Sequence, residues 1–213
     1  MIAIVDYGVG NLASLAGSLA SLGLANEVTR DPARLCSASH ILLPGVGAFG
    51  DAMQKLRDTG LVPVLKSQAQ KKPLLGICLG MQLLFEKSYE FGQHPGLGLL
   101  PGEVCPLGPD LAAAGHPELK VPHMGWNRLD ILRADPFFAN TRPGEYVYYV
   151  HSFYAKRCEA DTLATSPYGA AVTGVVRRGL VYGTQFHPEK SGAAGLRMLA
   201  AFAALGGQPA ERL

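Results

Sequence analysis

The stretch PLLGICLGMQLLFEKS, residues 73–88, decides the fold. Its first part, PLLGI, is apolar without alternation, as a strand buried on both faces requires, and its second, LGMQLLFEKS, carries a helical period. A strand of that kind running straight into a helix is a unit of a parallel sheet, and the same order recurs on the N-terminal side. MIAIV at 1–5 leads into NLASLAGSLASLG, where Leu12, Leu15, Ala16, Leu19 and Leu22 recur at helical spacing, with Asn11 placed to cap the start and Gly23 the end. NEVTR (26–30) and HILLPG (40–45) read as further strands, and residues 51–70 as helical with a break between Gly60 and Pro63.

Past residue 95 glycine and proline punctuate β-rich stretches: PHMGWNRLDIL (122–132), EYVYYVHSFYA (145–155), AAVTGVVRRG (170–179) and LVYGTQFH (180–187). The two runs flanking RRG read as a hairpin, followed by a final helix over about 192–205, and PLGPDLAAAGHPE (106–118) reads as a mobile surface loop. The expected fold is therefore α/β, with a central mostly parallel sheet flanked by helices and an antiparallel extension in the C-terminal half. The 213 residues, 48% hydrophobic and 17% charged, fit a single domain over 1–213.

Composition narrows the function. A net charge of +2 with scattered Lys and Arg leaves no footprint for nucleic acid or an anionic membrane. The N-terminal run has no basic leader, and Asp6 cuts it far short of the ~18 apolar residues of a membrane span, so the expectation is a cytoplasmic protein. The cysteines Cys36, Cys78, Cys105 and Cys158 form no C-x-x-C pair and read as reduced thiols. The six histidines show no H-x-H or H-x-x-x-H spacing, so neither a metal nor another cofactor is expected, and His151 reads as structural beside a pocket.

Three segments carry chemistry. In GICLG, Cys78 has glycine two positions before and after it, as the crowded strand-to-helix turn of a nucleophile elbow demands, and a helix start favours the reactive thiolate. The structural alternative is a small buried hydrophobe, and GICLG alone leaves both open. In GTQFHPEKS, His187 and Glu189 are two apart, so in an extended segment they project to one side, a carboxylate orienting a base; a surface His beside a solvated Glu is the alternative. In LLPGVGAFG (42–50) a strand runs into glycines that can present backbone N–H groups to an oxyanion, unless it is an ordinary turn. From another class, GVGNLA (8–13) with Glu27 some twenty residues on matches a dinucleotide-binding fingerprint of an oxidoreductase, which leaves Cys78, His187 and Glu189 unexplained.

GICLGMQ with FHPE resembles the class I glutamine amidotransferases, whose flavodoxin-like fold carries a Cys, His, Glu triad in that chain order. DYGVGNL, PGVGAF, PHMGWN and HPEKS resemble the branch of that family that supplies the glutaminase subunits of imidazole glycerol phosphate synthases. Met81 and Lys190 stand where the sister glutaminases that serve guanylate, anthranilate, pyridoxal phosphate or carbamoyl phosphate synthesis more often carry CLGHQ and HPES or HPEA. The resemblance implies that Cys78 attacks the glutamine side-chain amide, that His187 moves the proton and that Glu189 orients His187. It further implies an oxyanion site from the N–H groups of Val46 and Leu79. Substrate contacts would come from Gly47, Gln82, Glu90, Ser152 and Phe153, with Phe153 standing where the family has Tyr. The implied partner is a cyclase subunit built as a (β/α)8 barrel, forming a heterodimer in histidine biosynthesis and receiving ammonia through a dry passage. Asn11, Met124, Trp126, Tyr148 and Lys190 are the implied docking face, although Trp126 equally suits a core.

Overall fold

A computed structural model describes residues 1–206. The first half alternates β1 (Ile2–Val5), α1 (Leu12–Ser21), β2 (Asn26–Thr29), α2 (Pro32–Ser37), β3 (His40–Gly45), α3 (Phe49–Asp58), α4 (Val62–Gln68), β4 (Leu74–Cys78) and α5 (Leu79–Leu83). Three short strands follow, β5 (Lys87–Ser88), β6 (His94–Pro95) and β7 (Glu103–Pro106), then α6 (Leu107–Ala113), β8 (His123–Arg128) and β9 (Asp130–Ile131). The remainder is β10 (Tyr146–His151), β11 (Phe153–Lys156), β12 (Thr162–Tyr168), β13 (Ala170–Arg178), β14 (Val181–Thr184) and α7 (Gly192–Ala203).

The main sheet runs β2-β1-β3-β4-β14-β13-β12-β9. Its first five strands are parallel and the last three antiparallel, as the sequence predicts. Strands β1, β3, β4 and β14 are buried along their whole length, which is why they read as unbroken apolar runs. On one face Leu43, Phe49, Leu56 and Leu65 join a core roofed by α3 and α4; on the other Leu15, Leu19, Ile77, Met198 and Phe202 pack beneath α1 and α7. Each such fully buried side chain contributes about 1.5–3 kcal/mol of transfer free energy. The chain leaves β1 for β2 on one side and returns to β3 on the other, so a crevice opens at the carboxyl ends near the reversal. There the register pairs Gly45 with Cys78, setting the loop after β3 beside the end of β4.

Four expectations need correction. The loop expected over 106–118 is confined to the exposed turn at 114–118: before it α6 buries Leu107 and Leu111, four apart, against Tyr154 and Val172, and Asp110 accepts from Tyr154 Oη at 2.8 Å and Lys156 Nζ at 2.8 Å. The helix read over LGMQLLFEKS stops at Leu83, because the carbonyls that would continue it accept from residues 97–100 instead: Leu83 O from Leu97 N, Leu84 O from Leu99 N and Leu100 N, and Phe85 O from Gly98 N. The chain then enters a second sheet, β11-β7-β5-β6, that was not foreseen. Asn11 stands at the cap position of α1 but its side chain makes no capping hydrogen bond. Gly60, at φ +72°, breaks α3 from α4 where expected, and Gly179, at φ +59°, turns the hairpin between β13 and β14.

Candidate active site

Cys78 ends β4 with φ 55° and ψ −112°, a left-handed conformation in a β-carbon-bearing residue that costs about 1–3 kcal/mol and holds only where surrounding packing enforces it. The packing is visible at its glycines. A Cβ on Gly76 would sit 2.6 Å from Gly80 O, and one on Gly80 would sit 1.8 Å from Leu43 O, so neither position admits a side chain. Cys78 is therefore held in a tight elbow at the top of the core, 7% exposed. Its thiol faces Val150 O at 3.8 Å, and Gln185 Nε2 donates to Sγ at 3.8 Å.

His187 and Glu189 lie at the end of the neighbouring strand, with His187 Nδ1 2.8 Å from Glu189 Oε1 and both side chains only 3% exposed. The contact is as expected, but its geometry differs from the extended segment the sequence predicts. His187 is extended at φ −96° and ψ 99°, and residues Pro188–Lys190 then form a 3₁₀ turn that folds the carboxylate back. Ser191 Oγ donates to His187 O, and the His187 N–H donates to Tyr148 O at 2.9 Å, pinning the backbone. Burial disfavours the imidazolium, yet the nearby Cys78 and the Glu189 carboxylate favour it by more and push His187 up to about 9. With Nδ1 committed to Glu189, the buried Nε2 has no hydrogen-bond partner among the described residues.

A cleft of about 320 Å³ joins these groups. It is lined by Cys78 and His187 together with Val46, Gly47, Leu79, Gln82, Glu90, Ser152 and Phe153, so of the catalytic, oxyanion and substrate candidates only Glu189 is not in the lining, standing behind His187. The glycines around Val46 differ in role. A Cβ on Gly45 would meet Gly80 N at 2.7 Å, whereas Gly47 has φ +96° and open space around it, so Gly45 is required for close approach and Gly47 for conformation. Glu90 Oε2 accepts from Phe49 N at 2.6 Å, tying the cleft wall to the start of α3. Gln82 Nε2 donates to Phe153 O at 2.9 Å and to Gln185 Oε1 at 3.1 Å. Gln185, fully buried between Gln82 and Cys78, goes unmarked in the sequence; its one signal is a long polar side chain just past the end of a buried strand and two before His187.

The proposed docking residues gather on one side. Strands β8 and β10 pair as a ribbon that sets Trp126 opposite Tyr148 and Met124 opposite Val150. Met124 is 65% and Trp126 54% exposed, so Trp126 is a surface residue and not core. Its ring meets Tyr148 edge-on at 6.1 Å, and Lys190 Nζ lies 5.9 Å from the Tyr148 ring centre. Asn11 heads α1, which packs against the Pro188–Lys190 turn. All four cysteines are free thiols. Among the described residues no cluster of three or more His, Cys, Asp or Glu is arranged for a metal ion, and no helix is long and apolar enough to cross a membrane. Gly8 and Gly10 are not part of the cleft lining, and Glu27, the acidic residue of the dinucleotide fingerprint, accepts from Arg34 Nε at 2.9 Å.

Residues 3–204 match the family described as Glutamine amidotransferase class-I. The imidazole glycerol phosphate synthase subunit HisH of Lacticaseibacillus casei (strain BL23) is 51% identical over 203 residues, 95% of this chain and 94% of that protein. The subunit of the same name from Wolinella succinogenes is 47% identical over 208 residues, covering 97% of this chain and 100% of its own. Among solved structures, one described as a glutamine amidotransferase superposes with a TM-score of 0.72 at 18% identity, over 95% of this chain and 100% of that one. The structure of PurLQS from Thermotoga maritima gives 0.70 at 18% identity over 95% and 96%. At such identities these two bear on the fold alone.

Proposed function

We propose, from the premise that this chain belongs to the class I glutamine amidotransferase family and within it resembles the imidazole glycerol phosphate synthase subunits, that it hydrolyses glutamine and hands the ammonia to a synthase partner in histidine biosynthesis. The observation that carries this reading is the strained Cys78 in one cleft with a buried His187 whose Nε2 is unpartnered and whose Nδ1 is engaged by Glu189.

The chemistry follows from that arrangement. Cys78 Sγ, its proton held on His187 Nε2 in keeping with the raised His187 pKa, attacks the side-chain carbonyl carbon of glutamine, and the carbonyl oxygen becomes an oxyanion. The N–H groups of Leu79 and Val46 would hold that charge. As the C–N bond breaks, His187 returns the proton to the nitrogen and ammonia leaves, with a glutamyl thioester on Cys78. Water, deprotonated by His187, then attacks the thioester, the C–S bond breaks, and glutamate departs with the thiol restored. Glu189 keeps Nδ1 protonated and compensates the imidazolium charge. Gln82, Glu90, Gly47, Ser152 and Phe153 line the path the rest of glutamine would occupy. Free ammonia takes a proton in neutral water and loses its nucleophilic lone pair, so the account requires a shielded transfer to the partner. That partner would be the (β/α)8-barrel cyclase subunit, docked on the face bearing Asn11, Met124, Trp126, Tyr148 and Lys190 as a heterodimer in the cytoplasm. No cofactor enters these steps.

The partner should also switch the site on. Gly47 lets the loop after β3 change conformation, and loss of one oxyanion donor costs about 10²–10³-fold in rate. A partner that biases the Val46 peptide would therefore gate hydrolysis. Steady-state glutamine hydrolysis should be low for the purified chain and rise by about 10²-fold or more with the cyclase and its nucleotide substrate. Full activity of the isolated chain, unchanged by either addition, would remove the gate and leave the triad untouched.

The charged His187 also ties stability to pH. Its pKa rises from 6.5 to about 9 on folding, so its contribution is complete below about pH 6.5 and is lost as pH climbs through about 9. Melting temperatures of the wild type and His187→Gln should therefore converge across that window. A gap that stays constant from pH 6.5 to 9 would mean that His187 is neutral in the folded protein.

A further inference from the structure

The inner face of β8 carries a hydrogen-bond chain that ends in the cleft. Arg128 N donates to Asn127 Oδ1 at 2.8 Å, fixing the amide's orientation, and Asn127 Nδ2 donates to Pro167 O at 2.8 Å and to His123 Nε2 at 3.2 Å. His123 Nδ1 lies 2.9 Å from His151 Nε2, and His151 Nδ1 lies 3.0 Å from Phe153 O. A carbonyl only accepts, so His151 Nδ1 carries a proton and its Nε2 accepts. His123 Nδ1 must then be the donor, leaving its Nε2 to accept from Asn127. One arrangement of protons satisfies every member, and it is assigned from the partners at both ends.

Both rings are buried, and His123 is stacked between Tyr149 at 4.7 Å and Tyr168 at 4.0 Å, each at 22°. Burial pulls His123 down to about 4 and, with the neighbouring His123 and His187 charges opposing it further, His151 down to about 3, which agrees with two neutral rings. The chain ends at the Phe153 carbonyl, which also accepts from Gln82, itself bonded to Gln185 beside Cys78. Phe153 O is thus the junction between the ribbon and the cleft wall.

We propose that Asn127, His123 and His151 are positioning residues that fix the Ser152–Phe153 wall and the Gln82 amide for glutamine, and so set KM rather than the chemical step. This deepens the glutaminase reading above and rests on it. Because β8 alternates, the same strand turns Met124 and Trp126 outward while His123 faces in, so the wall is held from a strand the partner would touch.

Two substitutions at one position separate relay from packing. His123→Phe keeps an aromatic ring between the tyrosines but removes both polar contacts, whereas His123→Gln loses the stack yet can donate to His151 and accept from Asn127. Measured in the complex with the cyclase, His123→Phe should raise KM for glutamine about 3- to 10-fold with kcat within about twofold, and His123→Gln should recover KM to within about twofold of wild type. An unchanged KM in His123→Phe, a loss confined to kcat, or a His123→Gln variant no better than His123→Phe would overturn the proposal. Ring ¹⁵N shifts at neutral pH give a readout independent of activity: both histidines should be Nδ1-protonated neutral tautomers, and an Nε2-protonated tautomer in either contradicts the relay. A wild-type complex without glutaminase activity would defeat the functional reading, while the ring shifts would still decide this one.

Discussion

Replacing Cys78 by alanine is expected to lower glutamine-dependent synthesis in the assembled complex by about 10⁴–10⁶-fold while leaving synthesis from added ammonium salt unchanged. The substitution deletes only Sγ. The backbone strain at φ 55° is the same for alanine, and the lost contacts, to Val150 O and from Gln185 Nε2, are both long at 3.8 Å, so the fold and the docking face stay intact. Without the thiol no thioester forms, and His187 has no proton to take. Ammonia supplied from solution bypasses the cleft and needs none of these groups. Retention of glutamine-driven turnover in Cys78→Ala would remove the nucleophile from the account; loss of ammonium-driven turnover as well would mean that the substitution disrupts the assembly.

The second large effect is at the base. His187→Ala should reduce glutamine hydrolysis by about 10²–10⁴-fold, the range of a general acid–base group, and Glu189→Gln should cost less. The reason lies in what each leaves behind. Gln at 189 keeps an oxygen that can accept from Nδ1, so the ring stays oriented and loses only the compensating charge. Alanine at 187 removes proton transfer and strands the Glu189 carboxylate, 3% exposed, without its partner. Breaking a buried pair in this way typically destabilises by about 3–5 kcal/mol, so rates should be compared at a temperature where circular dichroism shows both variants folded. Near-normal turnover in both variants would reduce residues 187–189 to a structural turn.

Much of this was legible in the chain because the parallel strands are buried on both faces. MIAIV, HILLPG and PLLGI can only be unbroken apolar runs if helices cover both sides, and the glycines at 76 and 80 mark a turn in which a Cβ would collide with Gly80 or Leu43. The second sheet was not legible, since β5 and β6 are two residues each and too short for a period to develop. The early end of α5 was hidden for a related reason: LLFEKS is good helix sequence, and what stops it is competition for its carbonyls from residues 96–100, which no local pattern encodes. In α6 the opposite holds, with Gly and Pro masking the Leu107 and Leu111 spacing that tertiary packing rewards.

At the site, Cys78 and His187 announced themselves through their neighbours, whereas Gln185 and the His123–His151 pair did not. A buried histidine acquires meaning only from the partner on another strand, here 28 positions away, and sequence spacing carries no trace of that contact. His151 was read as structural beside a pocket, and it lines the cleft.

The most direct test of the central claim is to catch the intermediate. Acid quenching of the complex during glutamine turnover, followed by proteolysis under acidic conditions and peptide mass analysis, should find a glutamyl group on the peptide containing Cys78 and on none containing Cys36, Cys105 or Cys158. Turnover that proceeds with Cys78 unmodified, or with the adduct on another cysteine, would contradict it.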